Sequence, residues 1–400
     1  MIDTIRFRNY RIFGPQQELH LRPITIVFGK NNSGKSAILK LPILIENILE
    51  NKGNEIVSDS FEDGPLLFSE LKDIVYGKSL KVIDLGISNS REKVSMDCSF
   101  FVDMTKKPNS RIEKCALNNG NEQHSIMWDS ENLYHIDNDD SPVALEFAGI
   151  VPNTSNLKKF YDDTINRLKY FTDYIGAIRV FPKIDMRLQN SQATKSGIDG
   201  SLSYQMLIAD ALGDNLFVDK VSDWYKKNFS GWSIEVDKRR QPVIHIEMQK
   251  NGLQTNITET GMGITQSLPI VIRACAPCKK PTLIAIEEPE THLHPAAHAS
   301  LSELIAMSIK GDENKRYLIE THSKNFILRL RRLIANKQLD VNDVALYYVS
   351  FDGQFSALRQ INISEDGSVD FWPNQMFDES LQETIAIRTI QMEQAKKQAI

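Results

Sequence analysis

The octapeptide Gly29-Lys30-Asn31-Asn32-Ser33-Gly34-Lys35-Ser36 constrains this chain more than any other stretch, because it fits the pattern G-x-x-x-x-G-K-[ST]. Its glycines let the backbone curl until successive N–H groups point at one phosphate. Lys35 then reaches the β and γ phosphates, and the Ser36 hydroxyl is placed to ligate Mg²⁺. Such a loop works only between a buried strand and a helix. Both flanks comply: Ile24-Thr25-Ile26-Val27-Phe28 is a short apolar run of the kind found in a central sheet. The helical pattern from Ser36 to about Asn51 adds its positive dipole end. ATP with Mg²⁺ is the expected ligand, and residues 29–36 are its expected cradle.

Hydrolysis needs acids as well. Leu283-Ile284-Ala285-Ile286-Glu287-Glu288 is an apolar strand ending in two carboxylates. One can hold Mg²⁺ and the other can activate water at the γ-phosphate, so Glu287 is the expected metal-side acid and Glu288 the expected general base. Thr260-Gly261-Met262-Gly263-Ile264-Thr265-Gln266 lies upstream, with Gly261 and Gly263 just before a helical run from Ser267 to Ile272. It reads as a second phosphate-facing helix start. One chain does not easily offer two such ends to one γ-phosphate, so the natural use is in trans, across a dimer. His322, in Thr321-His322-Ser323 beyond the run Arg316–Glu320, is placed to sense the γ-phosphate or the attacking water.

In this order the four elements resemble the ABC-type ATPase heads of the SMC-like and OLD-like branch. Pro289-Glu290-Thr291-His292-Leu293-His294-Pro295 resembles that branch's E-P-E-x-H-L-H-P segment. Ile5 to Phe13 resembles its opening I-x-x-x-N-F-R-x-F, Tyr174 to Arg179 its Y-I-G-P-x-R, and Glu320 to Arg332 its E-T-H-S stretch with following arginines. Phe371 to Glu379 is similar to its W-P-x-G-F-F-D-E end, with Asn374 in place of the glycine. The resemblance implies an α/β P-loop NTPase of the ABC-ATPase head type: a mixed β-sheet with flanking helices, a β-rich lobe and a helical subdomain. It implies that Lys35 and Ser36 bind phosphate and Mg²⁺, that Glu287 is the metal-side acid, and that Glu288, His322 and Lys35 are catalytic. Gly261, Gly263 and Gln266 become the signature loop, and Arg11 is expected beside the nucleotide. Thr260 replaces the usual signature serine, and a Q-loop is sought between Phe68 and Gly77.

Four hundred residues suggest two to three domains, but the motifs spread from residue 30 to residue 322 make one composite head. The expected divisions are 1–154, with the P-loop and β-rich lobe; 155–230, a helical arm in place of a coiled coil; 231–380, the rest of the head; and 381–400, a C-terminal helix. Within these, 108–122 and 137–142 read as hairpin tips or loops, 191–200 as a mobile linker, and 174–181 as a strand. The 21 residues after Glu379 are too few for the Toprim nuclease domain of OLD proteins. The expected partners are therefore a second copy, as a head-to-head dimer or higher oligomer, and a separate protein effector such as a nuclease. Stand-alone ATPases of this kind resemble the ATP subunits of bacterial anti-phage systems such as Septu and PARIS. Direct nucleic-acid binding, as in a DNA-repair ATPase, is the alternative. Lys324, Arg329, Arg331, Arg332 and Lys337 give one helix a basic face, yet the net charge of -5 does not advertise a nucleic-acid binder. Four cysteines are too few for a secreted disulfide framework, Cys98 and Cys115 are read as distant, and Cys275-Ala276-Pro277-Cys278 lacks the second pair that a zinc site wants. No run reaches the roughly 20 apolar residues of a membrane span. The expectation is a cytoplasmic protein with no membrane partner.

Overall fold

The computed structural model describes residues 1–53, 56–59, 64–78, 81–103, 109–137, 139–189, 193–239, 241–373 and 379–398. Thr4–Arg8 (β1) and Gln17–His20 (β2) form a hairpin, and Ile24–Gly29 (β3) runs through the P-loop into helix Lys35–Glu50 (α1). Six strands follow: Val82–Asn89 (β4), Val94–Asp103 (β5), Asn109–Asn118 (β6), Gln123–Ser130 (β7), Leu133–Ile136 (β8) and Val143–Ala144 (β9). Phe147–Ala148 (β10) and Val151–Pro152 (β11) precede helix Ser155–Leu168 (α2) and strand Phe171–Ile175 (β12). Helices Ser201–Leu212 (α3) and Val218–Asn228 (α4) lead to a small sheet of Ser233–Asp237 (β13), His245–Lys250 (β14) and Leu253–Asn256 (β15). The remainder alternates: Met262–Cys275 (α5), Thr282–Glu287 (β16), Pro295–Ser308 (α6), Lys315–Glu320 (β17), Lys324–Ala335 (α7), Val344–Phe351 (β18), Ser356–Ile361 (β19) and Glu379–Gln398 (α8).

Two large sheets organise these elements. The central sheet has the order β12-β16-β17-β3-β18-β19, parallel except for β19. Alternate residues of its strands serve two cores. Val27, Leu283, Ala285 and Leu318 face α1 and the β-lobe, while Ile26, Phe28, Ile284, Ile286 and Ile319 face α5, α6 and α7. Burial on both sides explains why these strands are continuously apolar rather than alternating. The second sheet is antiparallel, in the order β2-β1-β4-β5-β6-β7-β8-β9.

Several expectations need correction. β6 occupies 109–118, most of the stretch read as a loop. Its inward residues Ile112, Cys115 and Leu117 are unevenly spaced, because its pairing with β5 shifts register between Ser99 and Phe100, which hides the period-two signal. Cys98 and Cys115 lie opposite each other on these strands and are joined by a disulfide. β12 sits at the edge of the central sheet beside β16, so 155–230 is not a helical arm. The strand also ends at Ile175, and 176–181 leaves the sheet. Of the expected linker, 191 and 192 lie outside the described residues. The rest is pinned: the Ser196 amide donates to Asp173 Oδ1 (2.8 Å), and the Gly176 amide to the Ile198 carbonyl (2.8 Å). Residues 374–378 and 399–400 lie outside the described residues, so Asn374 is not placed. Among the described residues no helix is long and apolar enough to cross a membrane.

Candidate functional site

The carboxyl ends of β3, β16 and β17 lie side by side, where a parallel sheet opens its ligand crevice. From β3 the chain turns at Gly34, whose left-handed φ of +103° and close approach to Ile12 leave no room for a side chain. Lys35 is thereby tucked in, only 4% exposed, while Ser36 starts the outer face of α1. The Lys35 ammonium donates to the Lys30 carbonyl (2.9 Å) and lies 3.6 Å from Glu320 Oε1. The Ser36 hydroxyl donates to Glu320 Oε2 (2.9 Å). Glu320, the last residue of β17, thus engages both P-loop side chains.

Register explains why acids gather here. Glu287 and Glu320 are direct partners across β16 and β17, so both carboxylates leave the sheet on the same side. Glu287 is held by the Tyr174 hydroxyl and by the Ala177 amide (3.3 Å). Glu288 follows the strand end in a left-handed turn, φ +42°, which redirects its side chain. Its Oε1 stands 3.7 Å from His322 Nε2, and its Oε2 accepts from the Thr291 hydroxyl (3.1 Å). Glu290 fixes the histidine from behind, accepting from the His322 amide (2.5 Å). Ligand atoms of Glu288, Glu320 and His322 all lie within 4.8 Å of one another.

The electrostatics follow from burial. Burial pushes the Glu320 carboxyl up to about 7, with Lys35 and Ser36 opposing and Glu287 and Glu288 adding to the rise. Burial also lowers the His322 imidazole; Lys35 assists and Glu288 opposes. Burial, with the neighbouring Glu287, drives the Tyr174 hydroxyl far upward, so it remains a hydrogen-bond donor. An oxygen-rich set with one buried ammonium suits a hard divalent cation such as Mg²⁺. Ser36, Glu320 and Glu287 would hold it. A second cluster, Asp237, His245 and Glu247 on β13 and β14, is less open to a cation, because Arg239 already forks onto Asp237 (2.7 and 3.0 Å).

Not every expected residue reaches this site. Arg11 donates to the Tyr10 hydroxyl (3.2 Å) and to the Leu67 carbonyl, lining a cavity of about 660 Å³ beside Ala37 and Lys40 of α1. The stretch searched for a Q-loop borders that cavity through Phe68, Ser69, Asp73, Val75 and Gly77. Gly261 caps α5 and is exposed, whereas Gly263 lies inside its first turn, where an added Cβ would stand 2.8 Å from the His292 carbonyl. Among the described residues no hydrogen bond joins Gly261–Gly263 to Gly29–Ser36. Gln266, expected at the nucleotide, is 4% exposed and bonded to Arg179 instead. Sequence reasoning gave Glu320, Tyr174 and Glu290 no role. Glu320 ends a strand like Glu287, but its meaning depends on cross-strand register.

Residues 155–327 match the family model described as AAA ATPase domain, a stretch that contains α5, the acid strand and His322 but starts beyond the P-loop. Residues 339–386 match a family described as a protein of unknown function (DUF3696). No curated protein matches. Among solved structures, an SMC head bound to the C-winged helix domain of ScpA aligns over 91% of this chain and 98% of its own, with TM-score 0.54 and 14% identity. The SMC head domain from Thermotoga maritima aligns over 90% and 99%, at 13% identity and TM-score 0.42. The fold is that of an ABC-type, SMC-like ATPase head.

Proposed function

We propose that this chain binds ATP with Mg²⁺ and hydrolyses it as a head-to-head dimer. The observation that carries the reading is the convergence of Lys35, Ser36, Glu320, Glu287, Glu288 and His322 at one sheet end, while among the described residues no hydrogen bond ties the exposed start of α5 to its own P-loop. Lys35 and the P-loop amides neutralise and orient the phosphates. Bound Mg²⁺ would supply further charge neutralisation at the β and γ oxygens. Glu288 takes the proton of the attacking water, and His322, held neutral by burial, orients that water or the γ-phosphate. A second copy's Gly261 then completes the phosphate cradle.

The dimer acts as a nucleotide-driven switch that controls a separate effector, a nuclease of the anti-phage type. Two observations favour a protein partner over DNA. The arginines of α7 are largely engaged within the chain: Arg329 pairs with Glu303, and Arg331 donates to the Gly367 carbonyl (2.7 Å). On the segment that follows β12, Ile178, Phe181 and Ile184 are exposed at 88%, 52% and 60%, apolar side chains suited to protein contact. ATP turnover by the wild type, Lys35→Ala and Glu288→Gln tests the chemistry. Retained turnover in Glu288→Gln would remove the assigned base, and metal-dependent DNA cleavage by the pure chain would remove the separate effector.

A further inference from the structure

Arg179 is the least expected charge in the molecule. It lies in the irregular segment after β12, yet it is 2% exposed. One guanidinium nitrogen donates to two carbonyls at the end of β16, Glu287 (2.6 Å) and Glu288 (3.0 Å). The other reaches the Gln266 carbonyl on α5 (3.4 Å). The peptide groups of Arg179 are gripped as well: Gln266 Oε1 accepts from the Arg179 amide (3.2 Å), and Gln266 Nε2 donates to the Arg179 carbonyl (2.7 Å). A single buried pair therefore joins the helix that starts at Gly261 to the backbone that aims Glu288.

The backbone at Glu288 needs such support. A left-handed non-glycine residue is strained and must be held by its surroundings. Arg179 donates to the carbonyls of Glu287 and Glu288, and the Glu288 carbonyl accepts from the Thr291 amide as well (3.2 Å), so the turn is held from two directions. The clamp is tightened from the start of α3, where the capping residue Gly200 packs so closely on Pro269 of α5 that an added Cβ would stand 2.7 Å from it. Displacement of α5 along its axis pulls on Gln266, hence on Arg179, hence on the turn that points Glu288 at His322.

We propose that Arg179 and Gln266 are positioning residues that couple α5 to Glu288 within one chain, so that seating α5 on a second copy's nucleotide sets the chain's own general base. This rests on the dimeric reading above and deepens it: each chain's site learns through α5 whether the opposite site is filled. It also separates two roles for Gln266. A residue touching the partner's nucleotide acts on the partner's site; a residue gripping Arg179 acts on its own.

Mixed dimers distinguish the two. One chain carries Glu288→Gln and is hydrolytically dead, and the other is live. Gln266→Met, which keeps the side-chain volume but loses both amide contacts, is placed on either chain, and single-site ATP turnover is measured beside binding of a fluorescent ATP analogue. The two lost bonds are worth about 0.5–1.5 kcal/mol each, and the share that reaches the Glu288 turn, about one bond's worth, corresponds to about a tenfold effect. The expected result is a roughly tenfold lower kcat, with analogue affinity within about twofold, when the substitution is on the live chain, and less than about a twofold change when it is on the dead chain. Arg179→Lys, which keeps the charge but cannot reach all three carbonyls, repeats the asymmetry. A loss confined to the dead-chain placement, an equal loss in both, or no loss in either overturns the coupling. A wild type that turns over ATP as a monomer removes the dimeric reading itself, and the coupling with it.

Discussion

Glu46 gives a quantitative test of how the P-loop helix is anchored. It sits on α1, 1% exposed, with Oε2 accepting from the Thr172 amide of β12 (2.8 Å). Burial pushes its carboxyl from 4.5 up to about 7, against the opposing pull of Lys195 and Thr172. A carboxyl raised in the fold binds its proton more tightly folded than unfolded. Stability therefore falls as pH rises from about 4.5 to 7, and the deficit is complete above pH 7. A shift of about 2.5 units corresponds to about 3 kcal/mol at pH 8, and to less than about 1 kcal/mol at pH 5. Glu46→Gln keeps an oxygen for Thr172 and abolishes the ionisation cost. With about 2.1 cal/mol/K of unfolding entropy per residue, a chain of 400 residues converts 3 kcal/mol into about 3–4 °C. Calorimetric Tm of the variant should exceed that of the wild type by about that much at pH 8, and by about 1 °C at pH 5. Comparing variant with wild type cancels the other titrations, including that of Glu320. An equal Tm difference at both pH values, or a less stable variant at pH 8, would refute the argument.

Other perturbations probe the site directly. Lys35→Ala should weaken ATP by roughly 10–100-fold in equilibrium titration, since it removes a charge-assisted phosphate contact. Glu320→Gln should weaken Mn²⁺ binding to the ADP complex by about tenfold, read from the Mn²⁺ spin-resonance signal, because the carboxylate on Ser36 is lost. Glu287→Gln should weaken it less than Glu320→Gln does, because Tyr174 and Ala177 already engage that carboxylate. Arg331→Glu should lower Tm by a few degrees through its lost bond to Gly367, without changing any affinity for duplex DNA in a salt titration.

What could be read in advance depended on how local the signal was. The P-loop, the acid strand and the helix after Ser323 are contiguous patterns in which each residue carries its meaning with its neighbours. Register is not local. Glu320 acquires its contact with Ser36 only because β17 lies between β3 and β16, an order that no linear pattern states. The same is true of β12, whose place beside β16 turns a presumed arm into part of the main sheet. β6 escaped because a register shift and polar ends mimic a loop. Arg179 escaped for another reason: it reads as part of a strand over 174–181, whereas the chain leaves the sheet after Ile175 and the arginine finds its buried partners at the end of β16 and on Gln266 of α5. Gln266 was assigned to the exposed signature loop, yet α5 begins at Met262 and its first turn already carries that side chain inward.

The central claim is that two copies complete each other's nucleotide site. The most direct measurement is the light-scattering mass of Glu288→Gln with Mg²⁺-ATP, set beside the same protein with ADP and beside the double variant that also carries Lys35→Ala. Copies that complete each other's sites form a dimer with ATP and dissociate in the other two conditions. A mass that stays monomeric with ATP, while the wild type still hydrolyses it, would mean that each chain completes its own site.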